Sequence, residues 1–188
     1  MRSMKILLHI CCAPCAIYPL EVLRASGAEV TGFFFNHNIH PYQEYLRRLE
    51  TLKEYASLVD LPVVFREEYL LELFLGAVAD RPEERCRYCY SSRIEETARA
   101  AVELGCSAFT TTLLYSRYQA HDAIREEGER AGKRHGVMFH YEDYRTGWRR
   151  GIEISKEIGL YRQQYCGCIY SEKERYAPKK NVSRVKSP

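Results

Sequence analysis

The chain has 188 residues, 46% of them hydrophobic, which is enough for a sizeable buried core and fits one domain. Its 28 Lys and Arg against 25 Asp and Glu leave a net charge of +3, which tolerates an anionic partner but lacks the imbalance of a strong polyanion binder. The opening Met-Arg-Ser-Met-Lys runs into a short apolar stretch broken by His9 and two cysteines, which excludes a cleavable signal or a membrane span there and predicts a cytoplasmic protein. Met4 is a second candidate start, with residues 1–3 then vector-derived. Eight cysteines without an export signal point away from structural disulfides and toward metal or redox chemistry, a hyperthermophile cytosol being the exception.

In chain order, residues 5–10 form an apolar run that predicts a strand ending at the first cysteines, and 16–26 show helical spacing before Gly27. A β-rich strand is predicted over 29–36, a helix over 41–59, a third strand over 62–67 and an apolar helix over 69–79. Residues 90–104 read as an Ala/Glu/Arg helix closed by Gly105, 108–114 as a fourth strand, 119–135 as a charged helix and 137–141 as a fifth strand. Strands alternating with helices predict a mainly parallel five-stranded sheet between two helical layers, a three-layer α/β/α core over 5–145. An arginine-rich helical extension follows over 146–177, then a basic tail over 178–188.

Cys11 and Cys12 fall where β1 should end, the edge at which open parallel sheets collect ligands. Cys15 lies one helical turn on, where a helix N-terminus favours thiolates. Cys86 and Cys89 bring a second pair from a separate segment between an acidic loop and a predicted helix, making five candidate ligands. A cubane cluster and a Zn(Cys)4 site both need four thiolates, but adjacent cysteines fit the zinc knuckle pattern poorly, so spacing favours iron–sulfur. Cys166-Gly167-Cys168 can form a strained, labile disulfide or bind a second metal, whereas solitary Cys106 reads as core. His9 reads as a hydrogen-bonded support beside the ligands, and His37 and His40 as residues of the site or of an ordinary loop. The charged stretch from Glu44 to Glu54 reads as a solvated helix face. Tyr115, Tyr118, Tyr141, Tyr144, Tyr161, Tyr165 and Tyr170 fall beside basic or cysteine-bearing segments, a composition suited to stacking splayed bases.

Five blocks carry a resemblance: His9-x-Cys-Cys-Ala-Pro-Cys15, Glu84-Arg-Cys-x-x-Cys-Tyr90 with Arg93, Ser116-Arg-Tyr118, Glu153-Ile-Ser-Lys156 and Tyr161-Arg-Gln-Gln-Tyr-Cys-Gly-Cys-Ile-Tyr-Ser171. Over residues 5–171 the chain resembles the QueH epoxyqueuosine reductases. That resemblance implies a fold like the adenine-nucleotide hydrolases and reduction of epoxyqueuosine to queuosine in tRNA. It also implies a 4Fe-4S cluster with an adjacent mononuclear iron, and a reductant that the motifs do not identify. Cys11, Cys12, Cys86 and Cys89 are then expected as cluster ligands, with Cys15, Cys166 and Cys168 as redox or second-metal residues. Arg117, Tyr118, Arg145, Arg149, Arg150 and Arg162 are expected tRNA contacts, the tail from Lys179 to Lys186 a weaker one. The Ser-Gly-Gly-x-Asp-Ser loop of nucleotide-binding relatives is replaced by Cys-Cys-Ala-Pro-Cys, so no ATP chemistry is expected. A tRNA sulfur-transfer enzyme and a non-catalytic zinc module for nucleic acid are the rival readings.

Overall fold

A computed structural model describes residues 3–178; Met1, Arg2 and most of the expected basic tail, including Lys179 to Lys186, lie outside the described residues. Strand β1 (Lys5–His9) lies at the centre of the sheet because both of its faces are apolar. Ile6 and Leu8 enter one core and Leu7 the other, as expected of a strand covered on both sides. Helix α1 (Ala13–Ala25) starts earlier than its spacing predicts, with Pro14 in its first turn, where the missing N–H costs nothing. β2 (Glu29–Phe34) and α2 (Tyr42–Leu58) follow, then the short edge strand β3 (Val63–Phe65) and α3 (Leu71–Val78).

Helix α4 (Arg85–Glu103) begins five residues before the predicted start, led in by a 3-10 turn over Pro82–Glu84. Cys86 and Cys89 therefore stand in its first turns rather than just ahead of it. β4 (Ala108–Thr111) is shorter than expected: the Thr111 hydroxyl accepts from the Leu113 amide at 3.2 Å and turns the chain into a 3-10 segment, Thr112–Tyr115. α5 (His121–His135), the two-residue strand β5 (Met138–Phe139), α6 (Trp148–Glu157) and α7 (Ile169–Tyr176) complete the described elements.

The sheet is parallel throughout, in the order β3-β2-β1-β4-β5. The chain winds outward from β1 in both directions, so the connections leaving β1 and β4 diverge and open a crevice at their carboxyl ends. His9 lies level with Thr111 across that switch point, and Cys11 and Cys12 follow it after Ile10. Among the described residues no helix is long and apolar enough to cross a membrane.

Candidate active site

The first motif folds into a compact thiol group. The Cys11 and Cys12 sulfurs are 3.8 Å apart, those of Cys12 and Cys15 2.8 Å, and all three lie within 4.8 Å of one another. Cys12 and Cys15 are buried, Cys11 partly so. Hydrogen bonds from Cys12 and Cys15 hold the Cys11 thiol well below the ordinary range. Burial pushes Cys12 up, and the bond to Cys11 pushes Cys15 up. A bound cation would favour the thiolate form of all three and draw off their protons. The Gln163 amide donates to Cys12 at 3.0 Å and to Cys15 at 3.4 Å, while the Thr112 hydroxyl donates to Cys11 at 3.4 Å.

A second thiol group forms where the start of α4 meets the segment before α7. Cys89 and Cys168 are buried with Phe74 and Val78, while Cys86 and Cys166 are exposed. Burial pushes Cys89 up to about 12; Arg93 pulls it down, and the charges of Cys166, Cys168 and Cys86 add to the rise. The expected quartet of Cys11, Cys12, Cys86 and Cys89 is therefore divided between two groups, and Cys15 joins the first. Between them lies buried Arg93, which donates to the Cys89 sulfur at 2.8 Å and to its carbonyl at 3.0 Å. Both groups reach one cavity of about 620 Å³, through Cys11 and Cys15 on one side and Cys166 on the other.

The segment carrying Cys166 is tied to α2 by residues whose role the sequence hides. Glu44 and Arg48 are 7% and 1% exposed, so the expectation of a solvated face from Glu44 to Glu54 fails at these two positions. Arg48 donates to Glu44 at 2.7 Å and to the carbonyls of Cys166 and Tyr165 at 2.8 and 3.1 Å. Tyr161 donates to the same Glu44, and Tyr165 to the His40 carbonyl at 2.6 Å. An i,i+4 Glu–Arg pair looks the same on a surface and in a core, so only the tertiary partners identify it. Gly167, at a φ of +156° that other residues rarely adopt, lets the two cysteines face different surroundings. The side chain of Gln119 links Tyr90 to the Cys166 sulfur, accepting from the first at 2.8 Å and donating to the second at 3.3 Å. No spacing in the sequence marks Gln119, whereas Gln163 lies inside a resemblance block.

His9 is buried, its ring nitrogens bonded to the Thr111 hydroxyl (2.8 Å) and the Phe35 carbonyl (3.2 Å), and burial lowers it to about 4. It supports the end of β1 as a neutral group, as expected. His37 and His40 are buried too, lowered by burial to about 3 and about 4, and pack on Phe74 beneath the second thiol group instead of lining the cavity. Cys106 is partly exposed at the far end of the sheet, near Lys5 and Glu29, and belongs to neither group.

The expected nucleic-acid contacts separate as well. Arg162 and exposed Tyr118 line the cavity, whereas Arg117, Arg145 and Arg149 line a neighbouring depression of about 430 Å³ with Thr146 and Trp148. Arg145 is engaged by Asp143, at 2.7 Å through Nε. Arg150 pairs with Glu21 at 2.8 Å and lines neither space.

Comparison with known proteins adds an independent line. Residues 6–174 match the family model described as Epoxyqueuosine reductase QueH. A protein of that description from Dehalococcoides mccartyi is 35% identical over 172 residues, covering 92% of this chain and 94% of the relative. One from Thermotoga maritima is 34% identical over 188 residues, covering 95% and 96%, and one from Histophilus somni is 39% identical, covering 89% and 72%. Among solved structures, a predicted subunit of a tRNA methyltransferase from Methanocaldococcus jannaschii has the same fold, with a TM-score of 0.53 at 13% identity over 82% of this chain and 75% of that one.

Proposed function

The chain belongs to the QueH family of epoxyqueuosine reductases, and we propose that it reduces epoxyqueuosine at the wobble position of tRNA to queuosine. Two electrons and two protons enter, both epoxide C–O bonds break, a carbon–carbon double bond forms, and the oxygen leaves as water. The observation that supports this reading is the arrival of Cys11 and Cys15 from the first thiol group and Cys166 from the second at the walls of one cavity with an aromatic and arginine-bearing rim.

Donor sets made only of sulfur fit iron and iron–sulfur groups and do not fit hard cations. Cys86, Cys89, Cys166 and Cys168 would hold a 4Fe-4S cluster, which needs four thiolates spread over separate irons. Cys11, Cys12 and Cys15 would hold one further iron. Thiolates on a single tetrahedral ion lie about 3.8 Å apart, the spacing that Cys11 and Cys12 show, while Cys12 and Cys15, at 2.8 Å, would move apart on binding. Bound there, these groups supply electrons and a Lewis acid for the epoxide oxygen.

The chain's own residues do the rest. Arg93, buried between the two thiol groups, compensates thiolate charge. Gln163 and Thr112 hold the first group in place by donating to its sulfurs. Tyr115, raised above the ordinary tyrosine range by burial, stays neutral and donates to the Trp148 carbonyl at 3.0 Å, so it shapes the wall and leaves proton supply to solvent at the mouth. Tyr118 and Arg162 face the space where the nucleoside and its phosphate enter.

The test is expression in cells whose tRNA accumulates epoxyqueuosine, followed by mass analysis of the nucleoside digest. Queuosine should appear at the expense of epoxyqueuosine. A new thiolated nucleoside would support sulfur transfer instead, and an unchanged digest would refute the proposal.

A further inference from the structure

Among the described residues most arginines face a carboxylate, and most of those held by neither a carboxylate nor a carbonyl gather in one place. Among the described residues, Arg24 is held by the carbonyls of Val59 and Asp60, Arg93 by Cys89, and Arg47 lies over the Tyr161 ring. Five arginines have no carboxylate or carbonyl partner among the described residues, Arg47, Arg117, Arg149, Arg162 and Arg175, and all but Arg47 line the two spaces. Arg162 and Arg175 line the large cavity, and Arg117 and Arg149 line the depression beside it. In a chain whose net charge is only +3, four of the arginines without a carboxylate or carbonyl partner thus share a single mouth, which also holds Glu174.

Trp148 lines both spaces and forms the wall between them. Its ring stacks on buried Tyr115 with centroids 5.2 Å apart and planes at 28°, and meets the edge of Tyr118 at 6.0 Å. The Arg117 guanidinium lies over the same indole at 5.9 Å. The bond from the Tyr115 hydroxyl to the Trp148 carbonyl fixes the ring's backbone, and Gly151 permits that approach, since a Cβ there would come within 2.3 Å of the hydroxyl. The wall is therefore an aromatic platform set in position before any ligand arrives, with the Arg117 guanidinium over the indole and Arg149 beside it. Aromatic platforms flanked by cations bind unpaired bases and the phosphates that join them.

We infer that the depression is a subsite for the nucleotide adjoining the modified one in a single-stranded RNA loop. The phosphodiester between the two nucleotides meets Arg117 and Arg149, and the neighbouring base stacks on Trp148. This rests on reading the large cavity as the nucleoside site, and it deepens that reading by dividing recognition into two steps. The cavity reads the modified base, and the subsite reads that its neighbour is unpaired. Arg145, engaged by Asp143, is left to the rim.

Trp148 is the sole tryptophan of the sequence, so its fluorescence reports on the wall between the two spaces, and loss of Arg117 and Arg149 assigns a change to the depression. The metal-loaded protein is titrated with a short single-stranded RNA that lacks the modified nucleoside, with a duplex of the same sequence and with a nucleoside monophosphate. The single strand should quench Trp148 saturably and the other two far less. The double variant Arg117→Ala/Arg149→Ala, altered only at exposed positions, should bind the single strand on the order of tenfold more weakly, and its salt dependence should fall by about 0.7 per lost arginine. Unchanged affinity and salt slope in the double variant, or equal quenching by the duplex or the mononucleotide, would overturn the inference. Because this RNA is not turned over, the result stands apart from the reductase assay. Quenching without epoxyqueuosine conversion would sink the functional proposal, whereas conversion with no single-strand quenching would sink the subsite.

Discussion

Replacing Arg48 by Met isolates the tie between α2 and the cysteines before α7. The substitution keeps most of the side-chain volume and removes the guanidinium, which is 99% out of solvent by its 1% exposure. Three partners are then lost: the Glu44 carboxylate at 2.7 Å and the carbonyls of Cys166 and Tyr165 at 2.8 and 3.1 Å. Glu44 keeps only the Tyr161 hydroxyl while remaining buried. Breaking a buried ion pair from one side costs about 3–5 kcal/mol, chiefly because a charge is left uncompensated. Against a total stability of about 5–15 kcal/mol that is a large fraction. Urea unfolding of the metal-free protein should show the loss, and iron bound per chain should fall because Cys166 and Cys168 are no longer held. Adding Glu44→Gln should recover part of the stability by removing the stranded charge. An Arg48→Met protein within about 0.5 kcal/mol of the parent, with its full iron content, would refute the reasoning.

Single-cysteine variants sort the metals. Cys86→Ser and Cys166→Ser should abolish the broad cluster absorbance, Cys15→Ser should lower iron by about one per chain while keeping that absorbance, and Cys106→Ser should change neither; equal losses from Cys15, Cys86 and Cys166 would show that the two groups are one, and a loss from Cys106 would refute the sorting. Gly151→Ala should cost about 1–3 kcal/mol by forcing the Tyr115 hydroxyl off its acceptor, and should shift the Trp148 emission; an unaltered spectrum and unfolding midpoint would contradict the close approach. His37 and His40, lowered from 6.5 to about 3 and about 4, take up protons more readily when the chain is unfolded. Their contribution is complete above about pH 6.5 and declines as pH falls toward 4. The urea midpoint of the metal-free protein should therefore drop between pH 7 and pH 5, and it should drop less in His37→Gln; equal slopes would remove these histidines from the account.

The alternating pattern of the chain predicted the three-layer fold well, because strands such as β1, apolar on both faces, have few alternatives to the middle of a parallel sheet. Boundaries slipped where side chains intervened. The Thr111 hydroxyl ends β4 early, and Pro82 lets α4 begin five residues sooner and carry Cys86 and Cys89 on a rigid element. The cysteines stood out by type, but their grouping did not, since Cys166 and Cys168 lie some 80 residues from Cys86 and Cys89 along the chain and meet them only through the packing of Phe74 and Val78. Arg48 and Gln119 were invisible for the same reason: each acts through partners distant in sequence, and neither spacing nor composition marks a tertiary contact.

The most direct measurement gives the anaerobically purified, iron-loaded and chemically reduced protein a tRNA that carries epoxyqueuosine, and follows the nucleoside by mass. The account predicts loss of one oxygen atom from the modified base to give queuosine, abolished in the Cys86→Ser and Cys15→Ser proteins. A protein with its full iron content that leaves epoxyqueuosine unchanged would contradict it.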